Sequence, residues 1–173
     1  GQANSFAALT MNSWTNGTAN GCTVSGLANG QTLTWSTPSL SETEPGTYTV
    51  AYDTSTLQIK DSNGNNVKDN YNVSVTGGTL TIERIALWVT TESATRKFEP
   101  NNPLTNNVAS FGYLTGAEVS GHTLAVKATG SQLEVGTSQN TYQFTLKIDG
   151  YTQSQAVFNT YYMVTNESLG NLV

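Results

Sequence analysis

The sequence predicts a mainly β protein made of two small tandem domains, and two observations carry this prediction. First, four sequence blocks recur in the same order at an offset of about 90 residues, which is typical of a tandem repeat. Second, hydrophobicity alternates with a period of two, which is typical of half-buried antiparallel strands. Two units fit the chain of 173 residues, since roughly 85 residues is a usual size for an independent domain. We therefore expect domains at residues 1–83 and 84–173.

The repeated blocks follow one another in the same order in both halves of the chain. They are residues 30–35 with 121–126, 46–50 with 136–137 and 141–144, 57–60 with 146–149, and 71–73 with 161–163. In this alignment His122 stands where the first repeat has Gln31, and Tyr161 stands where it has Tyr71. A duplicated unit with no obvious reactive group is typical of a spacer or a binding module.

The strands are predicted from alternation and the turns from glycine. Alternating segments cover residues 47–52, 71–75, 79–82 and 142–148. Turns that need a positive φ are predicted at 16–17, 20–21, 29–30, 63–64 and 77–78. Residues 39–42 form a capping-box pattern, which Pro45 would limit to about one helical turn. We expect nearly all-β domains with one short helical turn each.

The junction between the predicted domains has no flexible composition. Between Gly78 and Val89 the chain contains no Pro and no Gly/Ser run, whereas flexible linkers are rich in Gly and Ser. This pattern predicts that the last strand of the first domain continues into the first strand of the second. Such a junction would hold the domains end to end and restrict bending between them.

Composition excludes several classes of function. Charged residues make up 11% of the chain, the net charge is −5, and its seven Lys and Arg residues are dispersed. Nucleic-acid binding needs clustered positive charge, so neither nucleic acid nor an anionic membrane surface is an expected partner. No apolar stretch approaches the roughly 18 residues of a membrane helix. Polarity from Thr, Ser, Asn and Gly is common in secreted and cell-surface β proteins.

Catalytic signals are weak throughout the sequence. The single Cys22 excludes a disulfide framework and is interpreted as a small apolar strand residue, with a nucleophile or an intermolecular disulfide as the alternatives. The single His122 is interpreted as an exposed polar residue at the start of a strand, with a Ser- or Cys-His pair as the alternative. No metalloprotease, CxxC or GxSxG motif occurs, and no carboxylate recurs in both repeats. We predict that the protein is not an enzyme and uses no cofactor.

One segment resembles the start of a calcium-binding loop. Asp61, Asn63 and Asn65 offer oxygen atoms at alternate positions, as such loops do. The pattern then breaks, because Asn66 stands where a Gly is expected and Asn72 where a bidentate Glu is needed. These three residues are therefore a weak metal candidate, and an Asn-Gly hairpin loop is the simpler interpretation.

Aromatic side chains suggest a carbohydrate platform as a further possibility. The candidates are Trp14, Trp35, Trp88, Tyr48, Tyr52, Tyr113 and Tyr151. Packing in a core or interface is the preferred interpretation for Trp35 and Trp88, and Trp14 is left open. An intramolecular isopeptide bond is not favoured, because Lys147 lies on the polar side of its predicted strand.

Several spaced motifs together resemble the MBG/YDG-type tandem repeats of bacterial surface proteins. The motifs in the first half are Met11–Gly17, which is similar to the opening of one repeat type, and Asp61–Ile82 with its final Gly-Thr-Leu-Thr-Ile, which is similar to the closing half. In the second half, residues 93–106 resemble a sister type that opens on Tyr-Asp-Gly. The second half departs from the pattern at Phe98–Pro100 and in its closing segments 161–164 and 169–173.

The resemblance implies a β-grasp-like or immunoglobulin-like fold and carries over no catalytic residue. It further implies a surface-displayed adhesin of a Gram-positive bacterium, anchored to the cell wall through regions outside this sequence. We expect a monomeric stalk or spacer, in contact with neighbouring repeats, that projects a distal binding region. The alternative is that the repeats bind a host glycan or extracellular-matrix protein weakly and multivalently. The chain begins with Gly1 and not Met, which is typical of a fragment or a processed product.

Overall fold

The computed structural model describes residues 4–173, so the first three residues of the predicted first domain, including Gly1, lie outside the described residues. Strands make up 44% of the chain and helices 6%, which confirms the predicted mainly β class. The contacts divide the chain into two compact units, with a boundary between Ile82 and Glu83. We call these the N-terminal unit and the C-terminal unit. Each has its own cluster of buried hydrophobic residues.

The described part of the N-terminal unit consists of short strands and one 3-10 helix. The strands are Asn4–Phe6 (β1), Thr10–Trp14 (β2), Gly17–Ala19 (β3), Cys22–Val24 (β4), Thr32–Ser36 (β5), Leu40–Glu42 (β6), Gly46–Thr49 (β7), Gln58–Lys60 (β8) and Thr79–Ile82 (β9), and the 3-10 helix is Lys68–Asn70. The largest sheet has the order β2-β5-β8, and three strand pairs (β1-β6, β3-β4 and β7-β9) complete the unit.

The core of the N-terminal unit lies on the three-stranded sheet. Its buried members are Met11, Leu27, Leu33, Trp35, Leu57 and Ile59. The predicted burial of Trp35 is confirmed, since only 6% of this residue is exposed. The predicted turn at Asn20–Gly21 joins β3 and β4, and both residues have a positive φ, as a tight hairpin requires.

Three predictions in the N-terminal unit are wrong. Neither Gly77 nor Gly78 has the positive φ predicted for a turn at 77–78. Residues 39–42 were predicted to form a helical turn, but Leu40–Glu42 is strand β6, which pairs with β1. The alternating segment 71–75 contains no strand. Tyr71 and Val73 nevertheless pack against the core, so the alternation there reflects which side chains are buried, and not ladder hydrogen bonding.

The C-terminal unit is built from longer strands and one helix. The strands are Ile85–Thr91 (β10), Ala109–Tyr113 (β11), His122–Ala128 (β12), Ser138–Gln139 (β13), Tyr142–Ile148 (β14), Tyr151–Thr152 (β15), Tyr162–Ser168 (β16) and Asn171–Leu172 (β17), and the helix is Gln155–Tyr161 (α1). Strand β14 confirms the predicted strand at 142–148. The hydroxyl of Ser154 accepts a hydrogen bond from the Val157 amide and so caps the start of α1.

Two three-stranded sheets form the body of the C-terminal unit. One has the order β11-β10-β16, in which β10 pairs antiparallel with β11 and parallel with β16. The other has the order β12-β14-β15. The buried core draws on both sheets and on the helix and contains Leu87, Val89, Leu124, Phe144, Leu146, Phe158 and Tyr162. The core therefore joins the two sheets and α1.

The predicted uninterrupted strand across the domain junction is not observed. Strand β9 ends at Ile82 and β10 begins at Ile85, so residues 83 and 84 belong to neither strand. The two strands have different partners, because β9 pairs with β7 and β10 pairs with β11 and β16. The alternation also breaks here, because Glu83 and Arg84 are consecutive charged residues. Apolar residues occupy even positions up to Ile82 and odd positions from Ile85, and residues 83 and 84 have no ladder partner.

The matched sequence blocks occupy equivalent strand pairs in the two units. Strand β5 pairs antiparallel with β8, with Leu33 opposite Ile59, and β12 pairs antiparallel with β14, with Leu124 opposite Leu146. Sequence alignment had placed Ile148, and not Leu146, in the position of Ile59. The shift is two residues, so the same side chains still face the core.

Candidate functional site: the Asn140 node and the paired ends of the C-terminal unit

The most deeply buried polar residue among the described residues is Asn140, of which 0% is exposed. Its Nδ2 donates to the carbonyl oxygens of Glu92 (2.8 Å) and Asn106 (2.9 Å). Its Oδ1 accepts from the amide of Gly130 at 3.1 Å. Because a buried polar group is costly unless it is hydrogen-bonded, this one side chain holds three separate backbone segments together. We call it, with these partners, the Asn140 node.

The backbone of Asn140 joins a fourth segment to the node. Its amide donates to the carbonyl of Gly170 at 2.8 Å, and its carbonyl accepts from Oγ1 of the buried Thr91 at 2.7 Å. The same Oγ1 atom accepts from the Gly170 amide at 3.0 Å. Thr91 ends β10 and Gly170 lies between β16 and β17, so the node ties the end of β10 to the chain that follows β16.

Gly170 permits this approach because it has no side chain. A Cβ at this position would lie 2.3 Å from the carbonyl carbon of Glu92 and 2.5 Å from the amide nitrogen of Ser93. Both neighbours are backbone atoms, which cannot move aside as the end of a flexible side chain can. Only glycine fits this contact.

Backbone hydrogen bonds continue the contact beyond Gly170. The amide of Ala94 donates to the carbonyl of Asn171, and the amide of Val173 donates to the carbonyl of Ala94, each at 2.9 Å. The amide of Arg96 donates to the carbonyl of Val173, also at 2.9 Å. Leu172, between them, is fully buried. We call residues 170–173 the exit segment.

A second polar contact, between His122 and Tyr162, is buried in the C-terminal unit. The Nδ1 atom of His122 lies 3.0 Å from the hydroxyl of the fully buried Tyr162, and the His122 ring packs edge-on against Tyr161. His122 begins β12 as predicted, but it is 9% exposed, so the predicted exposed position is wrong. The reason is tertiary: α1 and the start of β16 bring two tyrosine rings against this end of the strand.

The N-terminal unit contains an equivalent polar pair. The hydroxyl of Tyr71 donates to Oε1 of Gln31, whose position in the repeat is that of His122. Both pairs join residues 40 apart in sequence, so Tyr71 corresponds to Tyr162 and not to Tyr161, as the sequence alignment had it. A polar residue bonded to a tyrosine hydroxyl is thus a shared feature of the two units.

Burial also controls the ionisation of His122 and Tyr162. It lowers the pKa of His122 below the ordinary histidine value, although the nearby acidic groups of Asp149 and Glu118 act in the opposite direction. Burial raises the pKa of Tyr162 to about 12. Both groups are therefore uncharged at neutral pH, and His122 is covered by rings instead of facing a substrate.

Acidification is expected to destabilise the C-terminal unit through His122. The pKa is lower in the folded state than the value of about 6.5 expected for an unfolded chain. The contribution of neutral His122 to the free energy of unfolding is therefore fully present above the unfolded pKa. It is lost as the pH falls through the folded pKa. Calorimetry between pH 7.5 and pH 5 should show a falling unfolding temperature. His122→Gln, which copies Gln31, should flatten this dependence, and an unchanged slope would contradict it.

The Asp61 loop is a hairpin closed by its own hydrogen bonds. Oδ1 of Asp61 accepts from the amides of Asn63 and Asn65, each at 2.9 Å, and Oδ2 accepts from the Asn65 side chain at 3.2 Å. These hydrogen bonds lower the pKa of Asp61, and the two from Asn65 have the largest effect. Gly64 has the positive φ predicted for the turn. A cation would have to displace bonds that already use both carboxylate oxygens.

The other candidate groups are separate from one another. Within residues 4–173, no three His, Cys, Asp or Glu side chains form a group that could hold a metal ion. Cys22 lies in β4 and packs against the N-terminal core, as predicted for a small apolar residue. Lys147 is exposed on β14, on the polar side of the strand.

The aromatic candidates contribute mainly to packing. Trp35 packs against Tyr52 with ring centroids 5.7 Å apart, and its Nε1 donates to a backbone carbonyl. Trp14 packs against the N-terminal core, and Trp88 lies over Gly112 of the neighbouring strand. The remaining tyrosines Tyr48 and Tyr113 are half-buried, and Tyr151 is 77% exposed.

One shallow cavity of about 190 Å³ opens on the C-terminal unit. Its lining includes four of the exposed hydrophobic side chains of that unit: Phe98, Leu133, Val135 and Val173. Arg96, which also lines it, forms an ion pair with Glu99 at 3.9 Å and donates to the carbonyl of Asn102. We call this lining the Phe98 surface.

Sequence reasoning missed the Asn140 node and the Phe98 surface. The partners of Asn140 are 10 to 49 residues away in sequence, so no local pattern marks them. Asn140 does lie between β13 and β14 in the sequence. Where a strand ends, backbone groups lack ladder partners, and a buried side-chain amide can hydrogen-bond to them.

Comparison of the chain with protein-family models, with curated proteins and with solved structures finds no match. No helix within residues 4–173 has the length and hydrophobicity needed to cross a membrane.

Proposed function

We propose that the chain is a non-catalytic stalk segment of a bacterial cell-surface adhesin. In this role, two repeats arranged end to end project a distal binding region away from the cell wall. The observation that carries the proposal is that the same internal geometry occurs in both units. The β5-β8 strand pair of the N-terminal unit corresponds to β12-β14 of the C-terminal unit. In each unit a polar side chain is also hydrogen-bonded to the hydroxyl of a tyrosine 40 residues later. A module used twice in tandem adds length at each copy.

The surroundings of the reactive groups support a non-catalytic role. His122 is buried and hydrogen-bonded to a tyrosine, and Cys22 is packed against a core. Nucleophilic catalysis needs a nucleophile and a base within hydrogen-bond reach of each other and of a substrate. Histidine and cysteine in this chain lie in different units.

The resemblance to MBG/YDG-type repeats supports a location on the bacterial cell surface. We place the protein outside the cell, attached to the cell wall through regions beyond this sequence, with neighbouring repeats as its direct contacts. The low charge and the Thr-, Ser- and Asn-rich surface are consistent with such an extracellular repeat. A β-grasp-like or immunoglobulin-like arrangement of the strands is part of this proposal.

A second function, weak binding of a host glycan or matrix protein by the repeats, is favoured by the Phe98 surface. Phe98 and Val135 are 54% and 84% exposed beside a cavity, and exposed apolar patches often mark interaction sites. Binding by both repeats would require a similar patch in each. Among the described residues of the N-terminal unit, Val75 is the one exposed large hydrophobic side chain, and at 36% it is less exposed than Phe98 or Val135. The spacer is therefore the better-supported function.

Small-angle scattering tests the end-to-end arrangement. Two contacting domains of roughly 85 residues should give a maximum dimension of about 60 Å, whereas one compact globule of this length would measure about 40 Å. We expect the longer dimension and a narrow distribution of distances. A compact particle, or a broad distribution from free hinge motion, would contradict a stiff spacer.

A glycan and matrix-protein array separates the two functions. A spacer should give no signal above that of an unrelated β protein. Specific binding that is lost in Phe98→Ala, and retained in Leu114→Ala, which removes an exposed side chain outside the Phe98 surface, would favour the binding function instead.

A further inference from the structure

The first and last long strands of the C-terminal unit are direct neighbours in the same sheet and run in the same direction. Strand β10 pairs parallel with β16 over six residue pairs, from Ile85 opposite Tyr162 to Thr90 opposite Ser168, with one irregularity after Leu87. The chain therefore enters this pairing at one end, through β10, and leaves it at the other end, through β16.

The pairing is prolonged past the end of β16. The exit segment forms a parallel bridge between Ala94 and Leu172, and the Asn140 node fastens Gly170 to the end of β10. The close backbone contact of Gly170 with Glu92 leaves no gap between the two strands at this point.

This arrangement determines how tension would act on the unit. Tension along the chain pulls β10 toward its amino end and β16 toward its carboxyl end. For parallel neighbours, these two forces are opposite and directed along the strands, so the ladder is loaded in shear. All hydrogen bonds of a sheared ladder bear the load together, whereas a ladder pulled open from one end breaks them singly.

We propose that the C-terminal unit is a load-bearing module, in which the β10-β16 ladder and the exit segment act as a clamp against tension. The biological use of this clamp rests on the proposed stalk function, because a stalk transmits force between a surface and an adhesive head. The clamp itself is a property of this unit.

The N-terminal unit has no such pairing among its described residues. Its first and last described strands have different partners: β1 pairs with β6 over three residue pairs, and β9 pairs with β7 over four. Both pairings are antiparallel and short. The clamp is therefore a feature of the C-terminal unit, and not of the repeat as such.

Single-molecule pulling on the full chain tests the clamp directly. Handles are attached through cysteines at Glu83 and Val173, in a Cys22→Ala background, so that only the C-terminal unit is stretched. In a second geometry the handles are at Glu83 and the exposed Tyr151, which removes the load from β16. We expect the first geometry to rupture at a force about twofold or more above the second, since shear loads the ladder bonds together.

Two glycine variants distinguish the clamp from general stability. Gly170→Ala should lower the rupture force more in the first geometry than in the second, because the disturbed contact between the exit segment and the end of β10 bears the load in the first. Gly78→Ala, where a Cβ meets nothing within 4 Å and φ is not positive, should change neither.

Equal rupture forces in the two geometries of the unsubstituted chain would overturn the proposal, even if Gly170→Ala failed to fold. That result would leave the stalk function open, since scattering and the binding arrays test it independently. Conversely, a compact particle in scattering would reject the spacer while the force difference could still establish the clamp.

Discussion

Replacing Asn140 with alanine is expected to lower the free energy of unfolding of the C-terminal unit by about 4 kcal/mol. The substitution leaves the buried amide of Gly130 and the partly buried carbonyls of Glu92 and Asn106 without their partner. An orphaned buried group costs about 1–3 kcal/mol, and the partly buried carbonyls fall toward the lower end of that range. Few single substitutions have a larger effect, because few side chains satisfy three separate backbone segments.

Urea unfolding followed by NMR measures this effect, since amide signals of the two units can be integrated separately. The matched control is Asn166→Ala, because Asn166 is exposed on β16 of the same unit. It should change stability by no more than about 0.5 kcal/mol, as is usual for surface positions. A loss of the same small size in Asn140→Ala would contradict the node.

Gly170→Ala is expected to produce the second large effect, a loss of about 3 kcal/mol or more in the C-terminal unit. The new Cβ would overlap the backbone of Glu92 and Ser93, at 2.3–2.5 Å, and neither neighbour can move without breaking the sheet. The exit segment should separate from the end of β10 and lose its backbone hydrogen bonds with Ala94 and Arg96.

Hydrogen exchange measures that separation directly. The amides of Ala94, Arg96 and Val173 should lose protection in Gly170→Ala, while those at the centre of β14 should change less. Gly78→Ala is the matched control, because its site is open and its φ is ordinary. Retained protection of the three amides would show that the exit segment tolerates a side chain.

The relation between the two predictions is also informative. Asn140 and Gly170 are hydrogen-bonded to each other, so their effects should not add. The double variant should lose less than the sum of the single losses, because either substitution already frees the exit segment. This coupling would identify the node and the exit segment as one structural device.

Local sequence pattern predicted those features of the fold that depend only on neighbouring residues. The strand at 142–148 follows from its alternation, the hairpin at Asn20–Gly21 from two residues that accept positive φ, and the core position of Trp35 from the face it shares with Leu33. Each of these features needs only the residues beside it in sequence.

The errors arise where a distant segment decides the outcome. His122 was expected to be exposed, but two tyrosines about 40 residues away cover it. Residues 39–42 have a capping pattern, yet pairing with β1 makes three of them a strand. Ladder partners and buried contacts outweigh weak local preference in both cases.

By itself, the sequence determined the β character of the chain, its repeated blocks and its poverty in reactive groups, because composition and period are properties of consecutive residues. The tertiary structure alone decided the parallel pairing of β10 with β16, the burial of Asn140 and the contact that only Gly170 permits. These features join segments that lie tens of residues apart, and chain closure over such distances leaves no periodic trace in the sequence.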